Sequence, residues 1–220
     1  TLADVGGTAT FSGNLTVSSF SANNTVANIA INGTGTNVFT NAVAFANDGT
    51  LTFADATQNF NGGLTTTSVG GTVTLNGIIQ ADNDPITLGA ITLGGQTSID
   101  TEALNASADL TIGAITGGSN TLGLQTSGVT SGVSSADLNV TGNISGVDVL
   151  NINGIGGTAT LTGDVDVTTL TVDNTVINMV FTGNGSSVTN SFTPNNTGTF
   201  IFGASGGTQT YNGGLNTASV

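Results

Sequence analysis

Ile86-Thr87-Leu88-Gly89-Ala90-Ile91-Thr92 returns 24 residues later as Leu110-Thr111-Ile112-Gly113-Ala114-Ile115-Thr116. Both copies alternate aliphatic and polar residues and are broken by one glycine. Alternation with period two puts one side of a strand in a core and the other in solvent. A near-copy returning after a short interval marks a chain that repeats one structural unit along its length. A sandwich or barrel pairs strands through neighbouring hairpins and has no need of such a repeat. A β-solenoid does need it, because each strand-turn-strand coil lies on the last at about 4.8 Å.

Longer echoes extend the pattern. Gly6-Gly7-Thr8-Ala9-Thr10-Phe11 returns as Gly156-Gly157-Thr158-Ala159-Thr160-Leu161, and 10 of the 21 positions from Gly6 to Val26 are identical at an offset of 150. Gln58 to Val69 matches Gln209 to Val220 in 8 of 12 positions at an offset of 151. Residues 1–220 therefore read as one continuous solenoid segment, with 6–69 echoed by 156–220 and 70–155 forming intervening coils. Runs such as Thr72-Val73-Thr74-Leu75 read as strands. Asn32-Gly33, Asp48-Gly49 and Asn76-Gly77 supply corners that tolerate left-handed backbone. No amphipathic stretch of helical period occurs. The fold class is all-β, a parallel β-solenoid; at roughly 20 to 25 residues per coil it makes about 9 to 11 coils and a rod on the order of 45 to 50 Å long. Thr1 to Val5 and Asn216 to Val220 stand at the same phase of the repeat, and neither end carries a polar cap. The expectation is a solenoid uncapped at both ends, a slice of something longer.

Composition excludes more than it suggests. The 220 residues include 34 Gly, 41 Thr and 26 Asn, with no Lys, Arg, His, Cys or Trp and a net charge of −13. Charged residues are 6% of the chain, against about 25% in ordinary soluble domains. No side-chain cation is present to meet phosphate, which argues against nucleic acid and anionic membrane surfaces as partners. No apolar run approaches the roughly 20 residues of a membrane span. Serine-histidine and cysteine-histidine nucleophiles, Schiff bases and thiolate or imidazole zinc sites all lack their residues. The chain reads as no enzyme and as carrying no cofactor, calcium excepted. Without Lys or Arg it also offers trypsin-like proteases no cleavage site.

The segments Gln58-Asn59-Phe60-Asn61-Gly62-Gly63-Leu64 and Gln209-Thr210-Tyr211-Asn212-Gly213-Gly214-Leu215, with the two Gly-Gly-Thr-Ala-Thr segments, carry a resemblance. They resemble the β-strand repeats of giant secreted bacterial proteins, the filamentous-haemagglutinin-like and autotransporter-passenger families. The resemblance implies a right-handed β-helix outside the cell or on the bacterial cell surface. It also implies an adhesin, biofilm-matrix or surface-fibre role and an unidentified host or cell-surface ligand. Those families carry basic residues and this chain has none.

Candidate chemistry is sparse. Asp82/Asp84 and Asp164/Asp166 are the close acidic pairs. Paired carboxylates hydrolyse glycosides in some β-helices, but here no basic group, His or Trp stands near to hold a sugar. Calcium, which takes carboxylate, amide and carbonyl oxygens, is the cation these four residues would bind; neither of the usual calcium-loop patterns is present. The Phe residues follow the repeat, Phe53 with Phe202 and Phe60 with Tyr211, and read as stacked core aromatics. The Thr-x-Thr pairs at 8/10, 72/74 and 158/160 raise an ice-binding solenoid as a second alternative after an adhesin stalk. The leading reading is a structural filament segment that associates with itself end to end or laterally.

Overall fold

The computed structural model describes residues 1–127, 135–203 and 207–220, and every one of these outside turns and corners lies in a β-strand or bridge, with no helix. All strand pairs are parallel, and they form two sheets that wrap one main core, beside which Ala103, Ala108 and Ala136 form a small separate buried cluster. The path of the larger sheet joins ten strands in nine steps, so the chain is a β-solenoid of about nine turns.

Each coil has three faces. On the first, Ala9, Ile29, Leu51, Val73, Ile91, Ile115, Ile144 and Val165 are successive Cα partners. On the second, the inward column runs Gln58, Ile79, Ile99, Leu124, Ile152, Val172. On the third it runs Leu64, Ile86, Leu110, Leu138, Ala159, Met179. The expected 24-residue echo is in register: Ile86, Thr87 and Leu88 pair with Leu110, Thr111 and Ile112. The strands are these residues because their alternation matches the pleat. Leu51–Phe53, Ile86–Leu88 and Leu110–Ile112 each bury the outer two side chains and turn a Thr outward. Burying each Leu or Ile contributes about 1.5–3 kcal/mol, so the three columns carry the stability of the rod.

One strand can serve two faces when glycine lets it bend. Val73–Gln80 leaves the first face after Leu75 and joins the second at Gly77, whose φ is 86°. A Cβ at that position would collide with the backbone of Ala56 in the coil below.

Aromatics fill both end regions of the core. Phe39 stacks on its register partner Phe60 with ring centroids 4.6 Å apart, and Phe53 meets Phe60 edge-on at 5.8 Å. Phe181, Phe192, Phe200, Phe202 and Tyr211 form a second cluster. No aromatic residue lies between Phe60 and Phe181, so the middle coils are packed with aliphatic side chains.

The 150-residue repeat is not a whole number of turns. Thr8 to Phe11 lies on the first face, but its counterpart, Thr158–Leu161, lies on the third. Likewise Phe60 stands on the second face and Tyr211 on the first. The offset spans seven turns less one face. Local contacts nevertheless survive the rotation. The amide of Leu15 donates to Asn37 Oδ1 at 2.7 Å, and the amide of Val165, the counterpart of Leu15, donates to Ser186 Oγ at 3.0 Å. The conserved physical unit is thus a strand with its corner, and the three faces accept it interchangeably.

Gln58 stands where the second-face column turns polar, between Ile79 and its other register partner, the buried Asn37. Gln58 is fully buried, and neither Oε1 nor Nε2 has a hydrogen-bond partner. Each such orphaned group costs about 1–3 kcal/mol. Gln58→Leu, of similar volume and matched to Ile79 above it, is expected to raise the unfolding free energy by about 1–3 kcal/mol. Urea denaturation of the two proteins measures this, and a loss of stability would show that the amide has a structural role.

Candidate functional site

The four sequence-predicted carboxylates sit on two different edges of the rod. Asp82 and Asp84 occupy the corner between Val73–Gln80 and Ile86–Leu88, where Asp82 is exposed and Asp84 half-buried. Between them Asn83 takes a left-handed φ of 65°, and its Oδ1 accepts the amide of Leu104 from the next coil at 2.6 Å. Asp164 lies at the corner before Val165–Val172, and Asp166 is on that strand, facing out between its register partners Ser145 and Ser187. Asp164 is engaged structurally: its amide donates to Asn143 Oδ1 at 3.0 Å, and its own Oδ1 accepts the amide of Gly185 at 2.7 Å. The two pairs are not brought together. Among the described residues no three acidic side chains converge as a metal-binding set.

The structure instead gathers carboxylates from neighbouring coils. Asp100 and Glu102 face the Asp82 corner, and Asp100 Oδ1 accepts the Glu102 amide at 2.8 Å. Burial pushes the Asp100 carboxyl above its ordinary value, an effect opposed by that hydrogen bond. Burial also raises Glu102, and the charges of Asp100 and Asp82 push it further up. A second juxtaposition is an open groove of about 330 Å³, lined by Ser119, Asp148, Asp166, Ser187 and Thr189, at the corner between the first two faces. Nothing in the sequence links Asp148 with Asp166, because they belong to different coils.

The most regular surface feature is a column of hydroxyls. On the outside of the first face, Thr52, Thr74, Thr92 and Thr116 are successive register partners, continued by Ser145, Asp166, Ser187 and Thr210. A shallow trough of about 380 Å³ follows this column past Gly70, Thr72, Ala90 and Ala114. Of the Thr-x-Thr pairs in the sequence, 8/10 and 72/74 lie on this face, whereas 158/160 lies on the third. The column is more continuous than the motif suggests, because a single Thr on each of four successive coils, Thr52, Thr74, Thr92 and Thr116, is enough to build it there.

No family model matches this chain, and comparison with curated proteins and with solved structures finds no match in either. The fold and these surfaces are therefore the whole basis for assigning a role.

The raised carboxyls set a pH dependence whose sign is fixed. A group whose folded-state pKa lies above its unfolded value destabilises the fold when ionised, and the penalty is removed once pH falls below the unfolded value. Asp100→Asn, which keeps the acceptor for Glu102, and Glu102→Gln are each expected to raise the thermal midpoint at pH 7. The advantage over the parent should shrink as pH falls towards the ordinary carboxyl values of 3.8 and 4.5. Melting curves between pH 3 and pH 7 test it, and a pH-independent difference would contradict the assignment.

Proposed function

We propose that this chain is a structural, non-enzymatic segment of a long extracellular bacterial surface fibre or matrix filament, built from stacked solenoid coils and associating with itself. One observation carries the reading: inward columns on three faces stack as parallel register partners from coil to coil around one main core. Such a rod resists bending and extension through its backbone ladders and its buried columns together. Its surface supports the same role. The net charge of −13 without a single basic side chain keeps anionic polymers away. The absence of trypsin-type cleavage sites suits exposure outside a cell.

Electron microscopy of native, unfractionated cell-surface material tests this. Long fibres of uniform width, with a layer line near the strand spacing of about 4.8 Å, are the expected result. Rods tipped by a separate globular domain would make the segment the stalk of a large adhesin. Finding the chain only in soluble cytoplasmic form would refute the fibre.

The hydroxyl column favours a second reading, an ice-binding solenoid. Thr52, Thr74, Thr92 and Thr116 repeat at the coil spacing on a face with no carboxylate among them. Thermal hysteresis at micromolar protein, abolished by Thr74→Lys with Thr92→Lys, is what that reading requires. Freezing behaviour equal to that of a buffer control would eliminate it.

A further inference from the structure

The smaller sheet makes the third face, and its strands carry no charge. Its eight strands, from Val43–Ala44 to Phe200–Phe202, contain no carboxylate. The first face carries Asp166 on Val165–Val172, and strands that bend onto the second carry Asp100 and Asp148. Asp109 and Asp137 stand at the rim of the third face, each one residue before its strand. Their Oδ1 atoms are taken up by amides of the next coil.

The outward column of this face is uniform. Thr65, Thr87, Thr111, Asn139 and Thr160 are successive register partners, and Val180 and Ile201 continue the row. All but Asn139 are β-branched, so the side chains are short and stiff. At its far end the column turns apolar. Ile201 is 47% exposed beside its partner Val180, and Ile177, just before Asn178–Phe181, is 38% exposed. Neighbouring apolar side chains left in water favour being covered.

Charge and period together select the occupant. Every side-chain charge in this protein is negative. A cationic partner finds its counter-charges on the other faces and the corners, and an anionic one is held off by the rim. What remains is a neutral surface whose side chains repeat at the coil spacing of about 4.8 Å. A second copy presents that surface at the same spacing, so the two sets of rows interlock along the whole column as a dry side-chain zipper. The same approach on the first or second face would bring carboxylates of the two copies together, where like charges repel.

We propose that the third face pairs this chain laterally with a second copy, third face against third face. The contact is isologous, with one patch used on both copies. It rests on the self-association in the fibre reading and names the surface responsible. Eight strands at about 4.8 Å make the face on the order of 38 Å long, and three residues at about 3.3 Å make it about 10 Å wide. That is about 400 Å² per copy, half of the roughly 800 Å² of a standard interface. One segment of this length therefore pairs weakly, and the contact strengthens with the number of coils aligned.

Sedimentation velocity of the full chain from about 10 µM to about 1 mM tests the pairing. The weight-average sedimentation coefficient is expected to climb towards that of a dimer. It should climb more steeply in high salt than in low salt, because salt screens the repulsion between two chains of charge −13. Thr111→Asp, in the middle of the column, should weaken association at least about tenfold. Thr87→Asp is a second variant on the same column, with the same expectation. Ser98→Asp, which adds an equal charge to the outside of the second face, should leave association unchanged. Thermal melts of each variant establish that the compared proteins are folded. Association undiminished in both threonine variants, or equally diminished by Ser98→Asp, would overturn the third face and leave self-association standing. A parent protein that stays monomeric at every concentration and salt would overturn the lateral pairing, while the fibre is decided separately by microscopy of native material.

Discussion

Every residue of a parallel solenoid rests on its counterpart one coil below, at about 4.8 Å, and that stacking governs this chain. It makes the side chains of one column share an environment, so the inward columns are aliphatic or aromatic except at Asn37 and Gln58, and the outward column of the first face is mostly hydroxyl. It also leaves a specific problem. Along the faces, backbone amides meet the carbonyls of the neighbouring coil, but at the corners the chain turns and the ladder is interrupted. A backbone amide left without an acceptor there would be costly.

Short side-chain acceptors close the gap. Asn14 Oδ1 takes the amide of Gly35, Asn28 that of Thr50, and Asn178 that of Thr199, at 3.0, 2.9 and 3.1 Å. Carboxylates do the same: Asp109 accepts from Asp137, and Asp137 in turn accepts from Thr158, at 2.8 and 2.7 Å. In each case an oxygen on one coil receives an N–H from the next coil up. Lys and Arg cannot fill these positions, since they carry donors and no acceptor. The corners therefore select Asn, Asp, Ser and Thr, which explains how aspartate persists at the corners of a chain without cations. The selection has an electrostatic cost, visible where Asp82, Asp100 and Glu102 crowd one edge and Glu102 is pushed up by its neighbours.

The rotation of the long repeat follows from the same physics. If the corner and its strand form the unit that satisfies both core and ladder, nothing ties that unit to a particular face. Asn47 and Asn196 illustrate this. They form the same three-carbonyl corner, yet Asn47 leads into the first face and Asn196 into the third. A duplication of about 150 residues could thus be accommodated without completing a whole turn, provided that strand length and corner chemistry were kept.

Legibility in the sequence follows the distinction between what lies within a coil and what lies between coils. Alternation, corner residues and the 24-residue echo are properties of contiguous sequence, and they led directly to the parallel solenoid and its strands. The surface sites are properties of register, and register depends on coil length. On the first face that length is 22 residues from Leu51 to Val73, 18 from there to Ile91, 24 to Ile115 and 29 to Ile144. Such unequal steps conceal a column like Thr52, Thr74, Thr92 and Thr116, which has no fixed period in the chain. They conceal equally that Asp148 and Asp166 line one groove. The pairs that a linear reading does propose, Asp82/Asp84 and Asp164/Asp166, are close because they share one corner or strand. In each, the intervening residue or one carboxylate is already committed to the ladder of the adjacent coil. In a solenoid, proximity along the chain identifies residues that build the corner, and residues able to share a ligand come from coils about 20 positions apart.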